Sequence, residues 1–355
     1  GLWVSEFRVE SGLNCGGHAF ASDGSLMGPI LQSFKNSRAE LTGEIHEIWI
    51  KALVAKNRPV PEQVPAIRIT AQGGVGTAEE QTFLMNHYDL DSVGWGSPFL
   101  LVPEAVGMDE DTRGRLCAST ENDVYLSGIS PLGVPFYSLR GNSKDQEKED
   151  WIRRGTPGST CPKRYACINN EFEGKALCTA SREYQQRKIG QLDELAVESA
   201  EYQKKYDAIV EKSCICVGLG TASLLSNGIS HKVEGSGVSV CPGPNMAYFS
   251  RKVSLGEMVG HIYGRNNVME RTDRPHVFIK ELGINIDYLK NNLLPRLNRD
   301  NPKERSTFEA FRDNLREGIR YYRELFSGKL TDRQLKVDSI LDELGRKEAE
   351  LELLT

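Results

Sequence analysis

The sequence predicts an α/β fold with a parallel sheet in its first third, followed by an irregular cysteine-rich region and a mostly helical tail. Three observations carry that reading. Strand-like and helical segments alternate over residues 1–105, and each strand runs into a glycine-bearing loop. From about 120 to 182 no period holds for long, and Gly, Pro and Cys recur. Beyond Leu255 apolar residues return at helical spacing.

The elements follow in order. Trp3 to Val9 reads as a strand, ending in Glu10-Ser11-Gly12-Leu13-Asn14-Cys15-Gly16-Gly17-His18. Residues 25–57 read as two helical pieces with a break around Leu41-Thr42-Gly43. Pro59, Pro61 and Pro65 lead to a second strand, Ala66 to Ala71, and the loop Gly73-Gly74-Val75-Gly76 opens a helix from Thr77 to His87. Thr77 stands at its N-cap and Glu80 at the capping-box position. A third strand, Ser92 to Trp95, runs into Gly96-Ser97. One long amphipathic helix is predicted from Glu183 to Lys212, with Ile189, Leu192, Leu195, Tyr202, Tyr206 and Ile209 on its apolar side. Residues 213–250 read as irregular. The tail carries 13 basic and 13 acidic side chains in its last 61 residues, and Val337, Ile340, Leu341 and Leu344 form a stripe, so it reads as a solvated helical cap. The resulting division is 1–140, 141–250 and 251–355.

Composition limits the partners. The 355 residues are 39% hydrophobic and 26% charged, enough for a substantial core and unlike a disordered chain. With 44 basic against 49 acidic side chains, a formal charge of −5 gives no electrostatic reason for nucleic acid. No apolar run approaches the roughly 18–20 residues that cross a bilayer, and no signal peptide opens the chain, so a cytoplasmic protein without a membrane partner is expected. Gly1 without an initiator methionine points to processing or to a longer polypeptide.

The loops carry the chemistry. In parallel sheets ligands bind beyond the carboxyl ends of the strands, where backbone N–H groups and helix N-termini are free. Gly73 and Gly74 let the backbone approach an anion, and Gly96 and Ser97 supply an opposite wall of amides and a hydroxyl. A tight turn into a helix explains a Gly-Gly pair as well as a phosphate does. His18 is a candidate general base, or a loop histidine bonded to backbone.

These loops resemble those of a known family. The run Val9 to His18 is similar to the Glu-x-x-Ala-Gly-Gly-His loop of nitronate monooxygenases, the 2-nitropropane dioxygenase family, and to the enoyl-reductase component of polyunsaturated fatty acid synthases. Ala71 to Thr77 resembles their penultimate phosphate loop, and Gly96-Ser97, closing with Pro103-Glu104-Ala105, their final one. Asn122 to Leu139 is similar to the stretch that follows the barrel in the enoyl-reductase branch. The resemblance covers roughly the first 140 residues. It implies the C-terminal part of a (β/α)₈ TIM-type barrel, its last three β/α units, with the earlier strands lying upstream. It further implies an FMN-dependent oxidoreductase acting on a small-molecule or acyl substrate. Gly73, Gly74, Gly96 and Ser97 would hold the FMN phosphate, and His18 would face the substrate. Cys15 departs from the pattern, standing where the family has a small residue.

Six of eight cysteines fall between residues 161 and 241. Cys161, Cys167, Cys178 and Cys241, in irregular backbone with Cys161 and Cys241 each before proline, are a candidate ligand set for an iron–sulfur cluster. Reduced, partly buried thiols are the other reading, because C-x5-C and C-x10-C match no zinc or ferredoxin spacing. His231, His261 and His276 lack ligand spacing and read as structural. An iron–sulfur electron-transfer module, or a non-catalytic interaction protein on a barrel scaffold, stands as the alternative. The electron donor, and whether the chain is a homo-oligomer, are left open by the sequence.

Overall fold

The computed structural model describes residues 2–298, 300–328 and 337–354. β1 (Glu6–Glu10), β2 (Arg68–Gln72) and β3 (Ser92–Gly94) form a parallel sheet in that order, with Val9 opposite Ala71 and Ala71 opposite Val93. The alternation read from the sequence is therefore present, with no strand limit shifted by more than three residues. Among the described residues there are three parallel strands and no closed barrel, for which eight would be needed.

The connection from β1 to β2 contains α1 (Met27–Ala55), one unbroken helix rather than two. Gly43 has open space around it, and the Thr42 hydroxyl donates back to the Arg38 carbonyl at 2.7 Å within the helix. A single exposed glycine costs a helix only about 1 kcal/mol, which the turns on either side absorb. Only the first turns of α1 are buried, at Met27, Gly28 and Leu31. α2 (Ala78–Tyr88) links β2 to β3; Thr77 caps it by accepting from the Glu80 N–H at 3.2 Å. The Glu80 carboxylate does not complete the capping box, being engaged elsewhere.

The stretch read as irregular holds more structure than expected. After α3 (Glu110–Ala118), β4 (Val124–Ser127) pairs antiparallel with β5 (Phe136–Leu139) across the Gly128–Pro135 connection, and α4 (Ser143–Arg153) follows. The predicted long helix is two, α5 (Arg182–Asp193) and α6 (Ser199–Val210). Glu194 to Glu198 contains no glycine or proline to announce the break. Tertiary contact sets it: the Tyr202 hydroxyl donates to the Asp193 carboxylate at 2.6 Å, and Leu192 and Val210 are buried. α7 (Ile215–Ser226) was missed because glycine, threonine and serine depress its propensity. Those small residues serve close packing, since a Cβ on Gly218 would lie 2.3 Å from the Ser239 hydroxyl. No single described helix is long and apolar enough to cross a membrane; α6 and α7 reach that length only as a pair bent by 43°.

The tail is helical as expected: α8 (Leu255–Ile262), α9 (Val277–Tyr288), α10 (Pro302–Ser327) and α11 (Val337–Glu352). It is not a solvated cap. Val277, Phe278, Leu282 and Ile286 of α9 are buried in one core with Ile69, Ala71 and Leu84, and with Leu315, Tyr322 and Leu344 of α10 and α11. Phe278 stacks on Tyr322 at 4.6 Å. The stripe read from the sequence lies in this core, with Ile340 and Leu344 buried and Val337 and Leu341 packed against them, while charge on the outer face of α10 concealed its own. A second core joins Leu13, Leu101 and Tyr137 to Met246, Tyr248 and Met258. Both cores thus fasten the loops beyond the sheet to residues from the far end of the chain.

Candidate functional site

β1, β2 and β3 end at Glu10, Gln72 and Gly94, and the loops beyond them enclose a cleft of about 340 Å³. Gly73, Gly74, Gly96 and Ser97 all line it, so the two glycine corners meet at one place. Gly73 and Gly74 have φ of 110° and 80°, a left-handed backbone that favours glycine. Among the described residues the N–H groups of Gly73, Gly74, Gly96 and Ser97 donate to no protein acceptor. A Cβ on Gly96 would meet nothing within 4 Å, so the cleft is open there. The Ser97 hydroxyl accepts from the Gly243 N–H at 2.8 Å, which leaves its O–H free to donate.

Asn14 lies under the Gly74 turn, so close that a Cβ on Gly74 would be 2.0 Å from its Nδ2. Asn14 is 1% exposed and lines the cleft, yet both its Nδ2 and Oδ1 are without a hydrogen-bond partner. A buried, unsatisfied amide costs about 1–3 kcal/mol, and such a group facing a cleft is a sign of a missing ligand.

What aims the Gly73–Gly76 loop comes from 170 to 200 residues away. Arg274, just before α9, pairs with Glu80 at 2.7 Å, each side chain 4% exposed. Its guanidinium also donates to Asn245 Oδ1 at 2.7 Å and to the Gly74 carbonyl, while Asn245 Nδ2 donates to the Val75 carbonyl at 3.0 Å. Glu80 accepts from the N–H groups of Gly76 and Val277 at 3.0 and 2.7 Å. Burial pushes the Glu80 carboxyl up, but the Arg274 and His276 charges and the hydrogen bonds from Arg274 and the Gly76 N–H together outweigh it, so the net shift is downward. Because a trans peptide points its C=O and N–H in opposite directions, anchoring the Gly74 carbonyl turns the Val75 N–H away from Arg274. On the other side, Glu281 accepts from Ser11 Oγ at 2.6 Å, from the Met27 N–H, and from the Tyr322 hydroxyl at 3.1 Å, which fixes the start of the Gly12–Gly17 loop. Burial pushes its carboxyl up to about 7. Sequence reasoning missed Arg274, Asn245 and Glu281, whose partners are too distant in sequence to leave a local signal. Asn14 lay inside the quoted loop but matched no family position.

His18 lies outside this cleft. It is not among the residues lining the cleft; the loop carries it to β5, where it bridges Phe136, and its Nε2 lies 2.7 Å from Ser130 Oγ. Partial burial lowers its pKa, which favours the neutral ring at neutral pH. His261 and His276 are structural, as read: His261 Nε2 lies 2.9 Å from the Gly76 carbonyl oxygen, and His276 caps α9 with burial pushing it down to about 4.

The four cysteines proposed as ligands do not assemble. Cys241 lines the glycine cleft and packs against Ile129, Phe136 and Ile215. Cys167 is only partly buried, at the edge of the Cys161 and Cys178 cluster. Cys161 instead packs with Cys178 and Ala180. Among the described residues no three His, Cys, Asp or Glu side chains stand ready-made as a metal-binding group. Cys15 lines the cleft, and burial together with the Glu10 carboxylate pushes its thiol up, keeping it protonated.

No protein-family model matches the chain, and no curated protein matches it in sequence. Among solved structures it is similar to FabK from Thermotoga maritima, at 12% identity and a TM-score of 0.32, over 74% of this chain and 55% of that one. It is also similar to the enoyl reductase domain of MlnA from the macrolactin biosynthesis cluster of Bacillus amyloliquefaciens, at 15% identity and a TM-score of 0.33, over 90% of this chain and 59% of that one. The chain therefore spans little more than half of either structure. Likenesses of this size carry no argument for function.

Proposed function

We propose that the cleft is the phosphate end of an FMN site in a flavin-dependent oxidoreductase of the nitronate monooxygenase and enoyl reductase type. The observation that carries this is the meeting of two glycine loops, with four unpaired amides, around an orphaned Asn14 side chain. These groups suit a phosphate. The Gly73, Gly74 and Gly96 amides and the Ser97 N–H and O–H would donate to its oxygens, each such charge-assisted bond contributing about 1.5–3 kcal/mol. Asn14 Nδ2 would gain the acceptor it lacks.

FMN, when bound, supplies hydride or single-electron exchange with the substrate. The chain's own contribution is binding and orientation: Arg274 and Glu80 hold one glycine loop, and Glu281 and Ser11 hold the β1 loop. His18 is the proposed proton acceptor toward a small-molecule or acyl substrate, its ring fixed by Ser130 and kept neutral by burial.

The test is flavin content. Protein incubated with excess FMN and freed of unbound ligand should be yellow and release FMN on denaturation. Gly96→Asp puts a carboxylate into open space facing the phosphate, so that protein should keep its circular dichroism and lose the colour. A folded wild-type protein that retains no flavin would overturn the proposal.

A further inference from the structure

A second cavity, of about 500 Å³, opens between the β4–β5 hairpin and α9. Val124 and Leu126 of β4 and Ile284 of α9 give it an apolar wall. It stands back to back with the glycine cleft. Tyr137 lines it and donates its hydroxyl to the Leu13 carbonyl at 2.8 Å, beside Asn14, and Pro244 lines it where Asn245 lines the cleft. None of the groups assigned to the flavin phosphate lies on it.

Its charges lack partners. Lys280 and Arg140 come from its two walls, α9 and the end of β5, and among the described residues neither forms an ion pair. Half-buried Lys280 donates to the Tyr248 hydroxyl at 3.1 Å, its ammonium 5.2 Å from the centre of that ring, and has two N–H groups left over. Burial pushes its pKa down, as it does for an ammonium short of counter-charge. Arg140 is steadied by its Nε–H on the Asn122 carbonyl at 2.8 Å and by the Tyr125 ring, 4.2 Å from the guanidinium carbon. Its Nη groups donate to no acceptor among the described residues. Of the nearby carboxylates, Glu121 is already held by Arg271 through two bonds, at 2.7 and 3.0 Å. Asp287 stands two turns beyond Lys280 on the same face of α9, about 10 Å along the axis, and is in no ion pair among the described residues. The helix then widens into a π-helical turn, Leu289–Leu293, from which both Asn291 and Asn292 reach the cavity.

We propose that this cavity binds a small organic dianion that carries a hydroxyl group, a hydroxy-dicarboxylate or a phosphate monoester. Two cations without counter-ions on facing elements call for two negative charges, and such charge-assisted bonds are strongest where water is partly excluded. Asp287, acceptor-only when ionised, takes the ligand's hydroxyl, and the Asn291 and Asn292 amides supply donors and acceptors for what remains. The carboxylate and phosphate forms share this chemistry and differ in the shape of the head that Arg140 meets.

Calorimetric titration of the full chain, without flavin, with L-malate and with glycerol 3-phosphate tests this, glycerol being the uncharged control. One site per chain is expected for at least one charged probe, weakening as salt is raised, and the tighter of the two tells carboxylate from phosphate. Lys280→Met and Arg140→Gln should each weaken binding about tenfold or more. Arg140 is exposed, so its variant folds even where Lys280→Met does not. Gly96→Asp, which blocks the glycine cleft, should bind the probes as wild type does, so failure of the flavin reading leaves this result standing. No heat from either charged probe at low salt, glycerol binding as tightly, unchanged affinity in folded Arg140→Gln, or binding lost in Gly96→Asp would overturn the inference.

Discussion

Asn14 is an expensive residue in the ligand-free protein. Both of its amide atoms are buried and unpaired, against a backbone turn that leaves no room to move. Asn14→Ala removes a penalty of about 1–3 kcal/mol. The variant should melt no lower than wild type while its FMN affinity falls at least about tenfold, or 1.4 kcal/mol. Equal flavin affinity would remove Asn14 from the site. Glu281 makes a second residue-level prediction. Its carboxyl is raised from 4.5 to about 7 by burial, so the folded protein binds an extra proton between those values. Stability should therefore fall as pH rises through that window, by about 3 kcal/mol at most. Urea unfolding at pH 5 and pH 7.5 should show this for wild type and lose it in Glu281→Gln; identical slopes would count against it. His18 follows the opposite logic. Burial lowers its pKa from 6.5, so turnover of a nitroalkane or an enoyl thioester that needs the neutral ring should drop only below that pH. His18→Gln should keep its flavin and lose turnover together with that acid limb; unchanged turnover would make His18 purely structural.

At the scale of elements, the loop–helix junction around Arg274 decides the shape of the cleft. Removing one partner of a buried ion pair leaves an uncompensated charge, at about 3–5 kcal/mol. Arg274→Met should cost that much, and Arg274→Met with Glu80→Gln distinctly less, since no charge is then stranded. Thermal or urea unfolding measures both, and equal losses would show that the pair is not the cause. The glycine loops were legible because glycine at a strand end is itself a local signal: Gly73 and Gly74 adopt the left-handed backbone that favours it. Thr77 as a cap was legible for the same reason. Arg274, Asn245 and Glu281 were not, because their partners lie on other elements and no short-range pattern encodes them. Periodicity also failed where tertiary contacts override propensity. It joined α5 to α6 across a break set by Tyr202 and Asp193, divided α1 at a glycine the helix tolerates, and passed over α7.

Across the whole molecule, the cleft is a joint product of both chain ends. The sheet contributes the glycine turns, and α9 with the segment before it contributes the side chains that aim them. The helical tail looked independent in sequence because its charge faces outward, while Phe278, Leu282 and Ile286 enter the sheet's own core. In the proposed function, unpaired backbone amides hold a terminal phosphate. Calorimetric titration of the full chain with FMN and with riboflavin, which lacks only that phosphate, tests it most directly. FMN should bind at least about a hundredfold more tightly, a difference near 2.7 kcal/mol. Equal affinity for the two, or heat from neither, would contradict it.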